Sequence, residues 1–344
     1  MMTDRRMLPR KGKSIDISTV CPKRPDSHSG MRDSGRAKQA RRDADNRDPT
    51  ARIRQTRQRH STMDNLAEQL IRDYRELVSL PEITLRINEM VNDPDCDIDE
   101  VGKLISQDPA LAVRLLGIAN SPFYGFASEI STVSRAITVL GINKIRDIVL
   151  SASATKAFDG IPVEIISVDD FWQHSLYCGV LGQMLAKQTR LDADAVFIAG
   201  LLHDIGQLIL FNRYPREMHE IILRTIEGEA PLTMVEAEAE RLGTDHTRVG
   251  AELARSWHLP AHIEAVIAWH HEPAKATEHQ QEVALICIAN SVAQMLGFDS
   301  DSVMSKLEID EAIQDMAGIR PEHIPPAMEA ADEQLESLRQ LYFG

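Results

Sequence analysis

The chain has 344 residues, 43% of them hydrophobic and 5% aromatic, and its four cysteines (Cys21, Cys96, Cys178 and Cys287) show no CxxC spacing. This supplies a core for one large domain or two modest ones and excludes a disulfide framework or a multi-cysteine zinc site; the thiols read as reduced and the setting as cytoplasmic. The net charge of −14 is unevenly divided, with 17 Lys/Arg against 7 Asp/Glu in residues 1–60 and 21 against 45 beyond them, so the acidic body repels phosphate backbones and argues against nucleic acid as a partner.

No apolar run reads as long enough to span a bilayer, and the N-terminus lacks an apolar leader, so no membrane role is expected. Residues 1–62 carry almost no large apolar residues and no period, and read as a disordered basic tail; a translation start at Met63 would leave it unmade. From Met63 the pattern becomes helical. Leu66, Leu70, Tyr74 and Leu77 form one stripe, and Leu85, Ile87, Met90 and Val91 the next. Asp97 or Asp99 can cap a helix carrying Val101, Leu104 and Ile105. Asp108 reads as an N-cap with Pro109 in the first turn, and Ser131 as the cap of a helix that stops at Gly141. A further helix follows through Ile142, Ile145, Ile148 and Val149. No segment alternates with a period of two.

The stretch "DGIPVEIIS" (159–167) interrupts the series and reads as a joint. Helices are then predicted at about 168–188, 192–211, 214–227, 231–241, 245–257, 260–271 and 280–297, bounded by turn and capping signals. The end of the chain sets Met328, Ala331, Leu335, Leu338 and Tyr342 on one stripe, expected to pack on the body. The fold class is all-α: a helical lobe at 63–158, a second at 159–298 and a C-terminal helical extension at 299–344.

Within the second lobe lies "GLLHDIGQLIL" (200–210), where His203 and Asp204 interrupt an apolar run. Burying two ionisable groups is costly unless something pairs them. On one continuous helix they would lie about 100° apart and lean toward one point. Gly200 and Gly206 flank them and would let a neighbouring helix come close. His174 shares a stripe with Phe171, Cys178 and Leu181; His246 precedes Val249, Leu253 and Trp257 at helical steps; His270 and His271 end a helix; Asn290 sits among Ile286, Cys287 and Ala293. Any one of them serves equally as a hydrogen-bonded core residue. Together they fall on separate helices of one bundle, which is how a bundle holds a divalent metal such as Fe, Mn, Zn or Ni.

The order His174, His203-Asp204, His246, His270-His271 resembles the HD superfamily of metal-dependent phosphohydrolases. "LPEITLRINEMVNDP", "ISQDPALAVRLLGIANSPFYG" and "STVSRAITVLGINKIRDIVL" narrow the resemblance to the HDOD (HD-related output domain) proteins of bacterial signalling, from about Leu80 to Pro273. The resemblance implies a two-lobe helical fold and a role in signal output through a protein or small-ligand partner. Against the HD-GYP cyclic-dinucleotide phosphodiesterases three features depart. Gln207 stands where those enzymes carry a phosphate-holding lysine, the Gly-Tyr-Pro stretch is missing after His271, and Asn290 falls at the last metal carboxylate. The expectation is therefore a non-catalytic module with a degenerate metal pocket; the alternative is a metal-dependent phosphohydrolase acting on nucleotides or cyclic dinucleotides. The residues ahead of Met63 read as too few and too polar for a receiver or cyclase, so an input would come from another chain.

Overall fold

A computed structural model describes residues 49–74, 78–126, 128–158, 166–227, 232–295 and 300–343; for 49–61, 226–227 and 300–301 it gives the backbone alone. The tail expectation for 1–48, the joint at 159–165 and the boundary near 298 lie outside these residues. All regular structure among them is helical. The α-helices are α1 (Pro49–Tyr74), α2 (Glu82–Asn92), α3 (Ile98–Ser106), α4 (Pro109–Ala119), α5 (Val133–Leu140), α6 (Ile142–Ala157), α7 (Val168–Ala186), α8 (Ala193–Leu202), α9 (Ile205–Arg213), α10 (Pro215–Glu227), α11 (Met234–Leu242), α12 (His246–Ser256), α13 (Ala261–Trp269), α14 (Gln280–Ala293), α15 (Ser300–Lys306), α16 (Glu311–Ala317) and α17 (Ile324–Phe343).

Local chemistry sets most of these boundaries. Asp97, not Asp99, caps α3, and Asp108 accepts from the amides of Ala110 and Leu111 at 3.0 Å ahead of Pro109. The α5 cap is Thr132, accepting from Arg135, rather than Ser131. Replacing Asp108 by alanine strands two first-turn amides and is expected to cost about 1 kcal/mol in urea unfolding. The first helix starts at Pro49 instead of Met63. Proline suits a first turn, and no glycine or proline follows until Pro81, so nothing in the sequence stops the helix from extending backwards.

Helices α2–α6 pack around Ile87, Val101, Ile105, Leu115 and Ile145, all fully buried. The second lobe is built on α7, most of which is buried and which lies against α8 and α14. The lobes join where α6 meets α8, with Lys144 paired to Asp194 and Gln183 donating to the same carboxylate at 2.8 Å. The last helix, α17, packs on the body as its stripe predicts, against α7, α4 and α6. Tyr342 is fully buried there, its hydroxyl 3.0 Å from Ser151, and Arg114 donates to its carbonyl. Helix α1 docks on α12 of the second lobe, where Asp64 pairs with Arg248, and its end reaches α9, where the Tyr74 hydroxyl donates to Asn212 at 2.8 Å.

Two expectations are corrected at one place. The segment Ala193–Arg213 is, by length and composition, apolar enough to cross a bilayer (mean hydropathy 1.5), although the sequence reading found no such run. It is core, with 83% of its most apolar window buried. Nor is it one helix: the chain turns at His203-Asp204, dividing the expected 192–211 helix into α8 and α9. Asp204 has φ −102° and ψ 11°, in the bridge region where functional residues often sit.

Candidate metal centre

The turn between α8 and α9 aims Asp204 into the lobe. Aspartate at the start of a helix normally spends its oxygens on first-turn amides, but Asp204 makes no such bond. Its carboxylate faces imidazoles from three other elements. Oδ2 lies 3.1 Å from His203 Nε2 and 3.8 Å from His174 Nε2 on α7; Oδ1 lies 3.2 Å from His270 Nε2 and 3.4 Å from His246 Nε2. His271 Nε2 is 3.1 Å from His246 Nε2. The His203 and His270 ring centroids are 4.9 Å apart. Two ligand sets therefore share Asp204: one with His246, His270 and His271, the other with His174 and His203.

Close helix crossings hold this arrangement. A Cβ on Gly200 would lie 2.7 Å from the Cα of Gly179 on α7, and one on Gly206 would lie 2.1 Å from the His246 carbonyl oxygen. Both flanking glycines thus do what the sequence reading assigned them. Asp245 caps α12 by accepting from Arg248 N at 3.1 Å, and its other oxygen accepts from Arg248 Nε at 3.1 Å, which fixes the turn that opens with His246.

Three of the outer ring nitrogens are spoken for. His203 Nδ1 bonds the Gly200 carbonyl at 2.7 Å, His270 Nδ1 reaches the Val266 and Ile267 carbonyls at 3.1 Å, and His246 Nδ1 meets Glu238 Oε2 at 2.6 Å. Each partner is an acceptor, so each Nδ1 carries the proton, and in the neutral ring Nε2 presents a lone pair. Those lone pairs converge on a carboxylate that can only accept. His203 Nε2, His270 Nε2 and Asp204 Oδ1 are buried without a hydrogen-bond partner. Such a set needs a cation at its middle, either a proton or a metal ion. The donor types, the inward lone pairs and the anchored outer nitrogens fit a divalent transition metal.

Burial alone would depress every imidazole here. It prevails at His174, pushed down to about 4 with His203 adding repulsion, and likewise at His270 and His271. At His203 burial is overcome by the Asp204 carboxylate, and the ring is held well above its ordinary value. At Asp204 burial is overcome by His203, with help from His270 and His246, and the carboxyl is held well below the usual range. His246 is pushed up to about 9 because Glu238 outweighs its burial. Burial raises Glu238 as well, so this pair contends for one proton; two hydrogen bonds to Oε2 favour the carboxylate and place the proton on the imidazole.

All six His and Asp positions singled out in the sequence thus come together. Asn290, 4% exposed on α14, sits beside His174, and its buried Oδ1 has no partner among the described residues. Gln207 stands half-buried in the first turn of α9. Sequence reasoning missed Glu238, fully buried on α11. Its signal was present: an acid on the same helical stripe as buried Met234 and Ala237.

The HDOD domain family matches residues 77–273, more than half of the chain. The chain belongs to the HDOD family. Among solved structures this HDOD protein is similar to an HDOD domain protein of unknown function from Geobacter sulfurreducens, with 28% identity, a TM-score of 0.64 and coverage of 81% of this chain and 99% of that one. It is also similar to a protein of Shewanella amazonensis SB2B named provisionally as a phosphohydrolase, with 26% identity, a TM-score of 0.64 and coverage of 79% and 97%. An uncharacterised protein of Treponema pallidum is 27% identical over 229 residues, 64% of this chain and 43% of the relative. The HDOD chain thus spans less than half the length of that curated relative.

Proposed function

We propose that this HDOD protein is a non-catalytic signal-output module. Its His/Asp centre holds a divalent metal as a structural and ligand-sensing element, and its output is the binding of a signalling protein. His203, Asp204, His246, His270 and His271, with His174 at the edge, would hold the ion, which when bound supplies Lewis-acid polarisation of an oxygen.

The observation that carries the reading is the charge of the donor set. Five imidazoles and the Asn290 amide meet one carboxylate, Asp204, in a buried site. A pair of divalent ions would find only one formal negative charge among the groups that face it, where burial makes unmatched charge most costly. Gln207 then offers no positive charge to a phosphate. That balance suits one retained ion better than a pair activating a shared hydroxide.

The expected result is protein that, purified without chelators, carries a stoichiometric divalent metal which Asp204→Ala removes. Metal-loaded protein is expected to hydrolyse bis-p-nitrophenyl phosphate, nucleotides and cyclic dinucleotides no faster than Asp204→Ala. Turnover that disappears in Asp204→Ala would establish the second reading, a metal-dependent phosphohydrolase. That reading is favoured by the convergence of the His and Asp ligands and by the provisional name of the Shewanella relative.

A further inference from the structure

We infer that Glu238 is the positioning residue of the centre: it fixes the His246 tautomer, and with it the lone pair that His246 turns toward Asp204. The inference rests on the metal-binding reading above and adds to it a second carboxylate, one imidazole removed from Asp204.

The sequence places this residue with some care. Thr233 and Glu236 form a reciprocal capping box that starts α11, and Gly243, at φ 76°, ends it in the left-handed region open to glycine. Between them Met234, Ala237 and Glu238 make the buried face. The chain then returns through Thr244 and Asp245, and α12 begins at His246, eight residues after Glu238. A fully buried glutamate therefore faces the first residue of the next helix.

Its contacts are unequal. Glu238 Oε2 accepts from the His246 backbone amide at 2.9 Å and from His246 Nδ1 at 2.6 Å. Glu238 Oε1 is buried with no hydrogen-bond partner among the described residues. Helix capping alone accounts poorly for this. Asp245 already serves as the side-chain cap of α12, and one amide is a small return for a fully buried carboxylate with an idle oxygen. The shorter bond goes to the ring. With Nδ1–H held by Glu238, Nε2 is the nitrogen that can give up its proton to an incoming cation, and it faces Asp204 Oδ1 at 3.4 Å and His271 Nε2 at 3.1 Å. With Nδ1 free, the ring could instead protonate Nε2 and turn a donor into the pocket, which no metal accepts. A carboxylate behind a ligating imidazole also makes the ring a stronger donor. In this chain Glu238 thus returns part of the negative charge that Asn290 lacks.

The experiment uses the full chain with Zn²⁺ and Mn²⁺ as probes. Affinity is measured by competition with a chromogenic chelator, and ring protonation by ¹⁵N-edited NMR of the imidazoles. Glu238→Gln keeps an oxygen able to accept the His246 amide but loses the charge. It is expected to weaken metal binding about 10- to 100-fold and to keep the wild-type circular dichroism spectrum, whereas Glu238→Leu, which removes the acceptor for both His246 N–H groups, is expected to lose the protected Nδ1–H signal as well. An affinity within twofold of wild type, in a folded variant that has lost that charge, overturns the inference. If the variant fails to fold, wild-type NMR decides: a protected proton on His246 Nδ1 supports the inference and an unprotonated Nδ1 overturns it. Wild-type protein that binds neither ion defeats the metal reading of the pocket, and the same NMR signal still decides whether Glu238 sets the tautomer.

Discussion

Gly206→Ala is expected to lower the stability of the protein by more than about 3 kcal/mol, and Gly206→Val to abolish its cooperative unfolding. A methyl on Gly206 would lie 2.1 Å from the His246 carbonyl oxygen and 2.6 Å from the Gly250 amide nitrogen. Both obstacles are backbone of α12, so no side chain can swing aside. Relief requires α9 and α12 to separate. Since α9 begins directly after Asp204 and α12 begins at His246, that movement pulls apart two members of the centre. Gly117 on α4 supplies the contrast. A methyl there would meet only Leu341 Cδ2, at 3.4 Å, and alanine is the better helix former by about 1 kcal/mol. Thermal melts of chelator-treated protein are expected to show a Tm about 10 °C lower for Gly206→Ala and unchanged or higher for Gly117→Ala. A Gly206→Ala variant melting within about two degrees of wild type would mean that the helices do not approach this closely.

The same two helices show where the sequence was legible and where it was not. Caps and apolar periods are local signals, and they placed most helices and put the six His and Asp positions on separate elements. The turn at His203-Asp204 escaped because its surroundings carry no phase. Every residue from Val196 to Gly206 is buried, so an apolar run without a polar face looks the same whether or not it bends. Asp204 could have been read as a helix start, since aspartate is a favoured N-cap, but its oxygens are spent on imidazoles that lie far away in sequence. Periodicity also tells which face of a helix is buried and not what covers it. The stripe of α1 was visible, but its seat on α12 follows from Asp64 meeting Arg248, a pairing across 184 residues. Glu238 needed only the rule that an acid on an apolar stripe must have a partner.

The strongest test of the centre is Asp204→Asn, which keeps the shape of the side chain and removes its charge. Metal binding is expected to be lost, because the groups left facing the ion are all neutral and its nearest counter-charge, Glu238, lies behind the His246 ring. In metal-free protein the variant is expected to be destabilised by about 3–5 kcal/mol near pH 5.5, the usual cost of removing one member of a buried ion pair. The pH dependence tests whether Asp204 is paired with a protonated imidazole. Asp204 is held well below its ordinary value, so its contribution is present above about pH 3.9 and is lost as the pH falls through its folded value. His203 is held well above its ordinary value, so its contribution is complete below about pH 6.5 and is lost as the pH rises toward its folded value. The pair therefore stabilises most between those limits. Above pH 6.5 the gap between wild type and Asp204→Asn is expected to narrow by about 1.4 kcal/mol per pH unit. His174, His270 and His271 run the opposite way: burial keeps them neutral, and folding loses their contribution as the pH falls below about 6.5. Above about pH 6.5 these three are neutral in the folded and the unfolded chain alike, so they drop out of the difference there. Urea titrations of both proteins in chelator from pH 5.5 to 8.5 measure that difference directly. A gap that stays flat or widens with rising pH would show that Asp204 is not paired with a protonated His203.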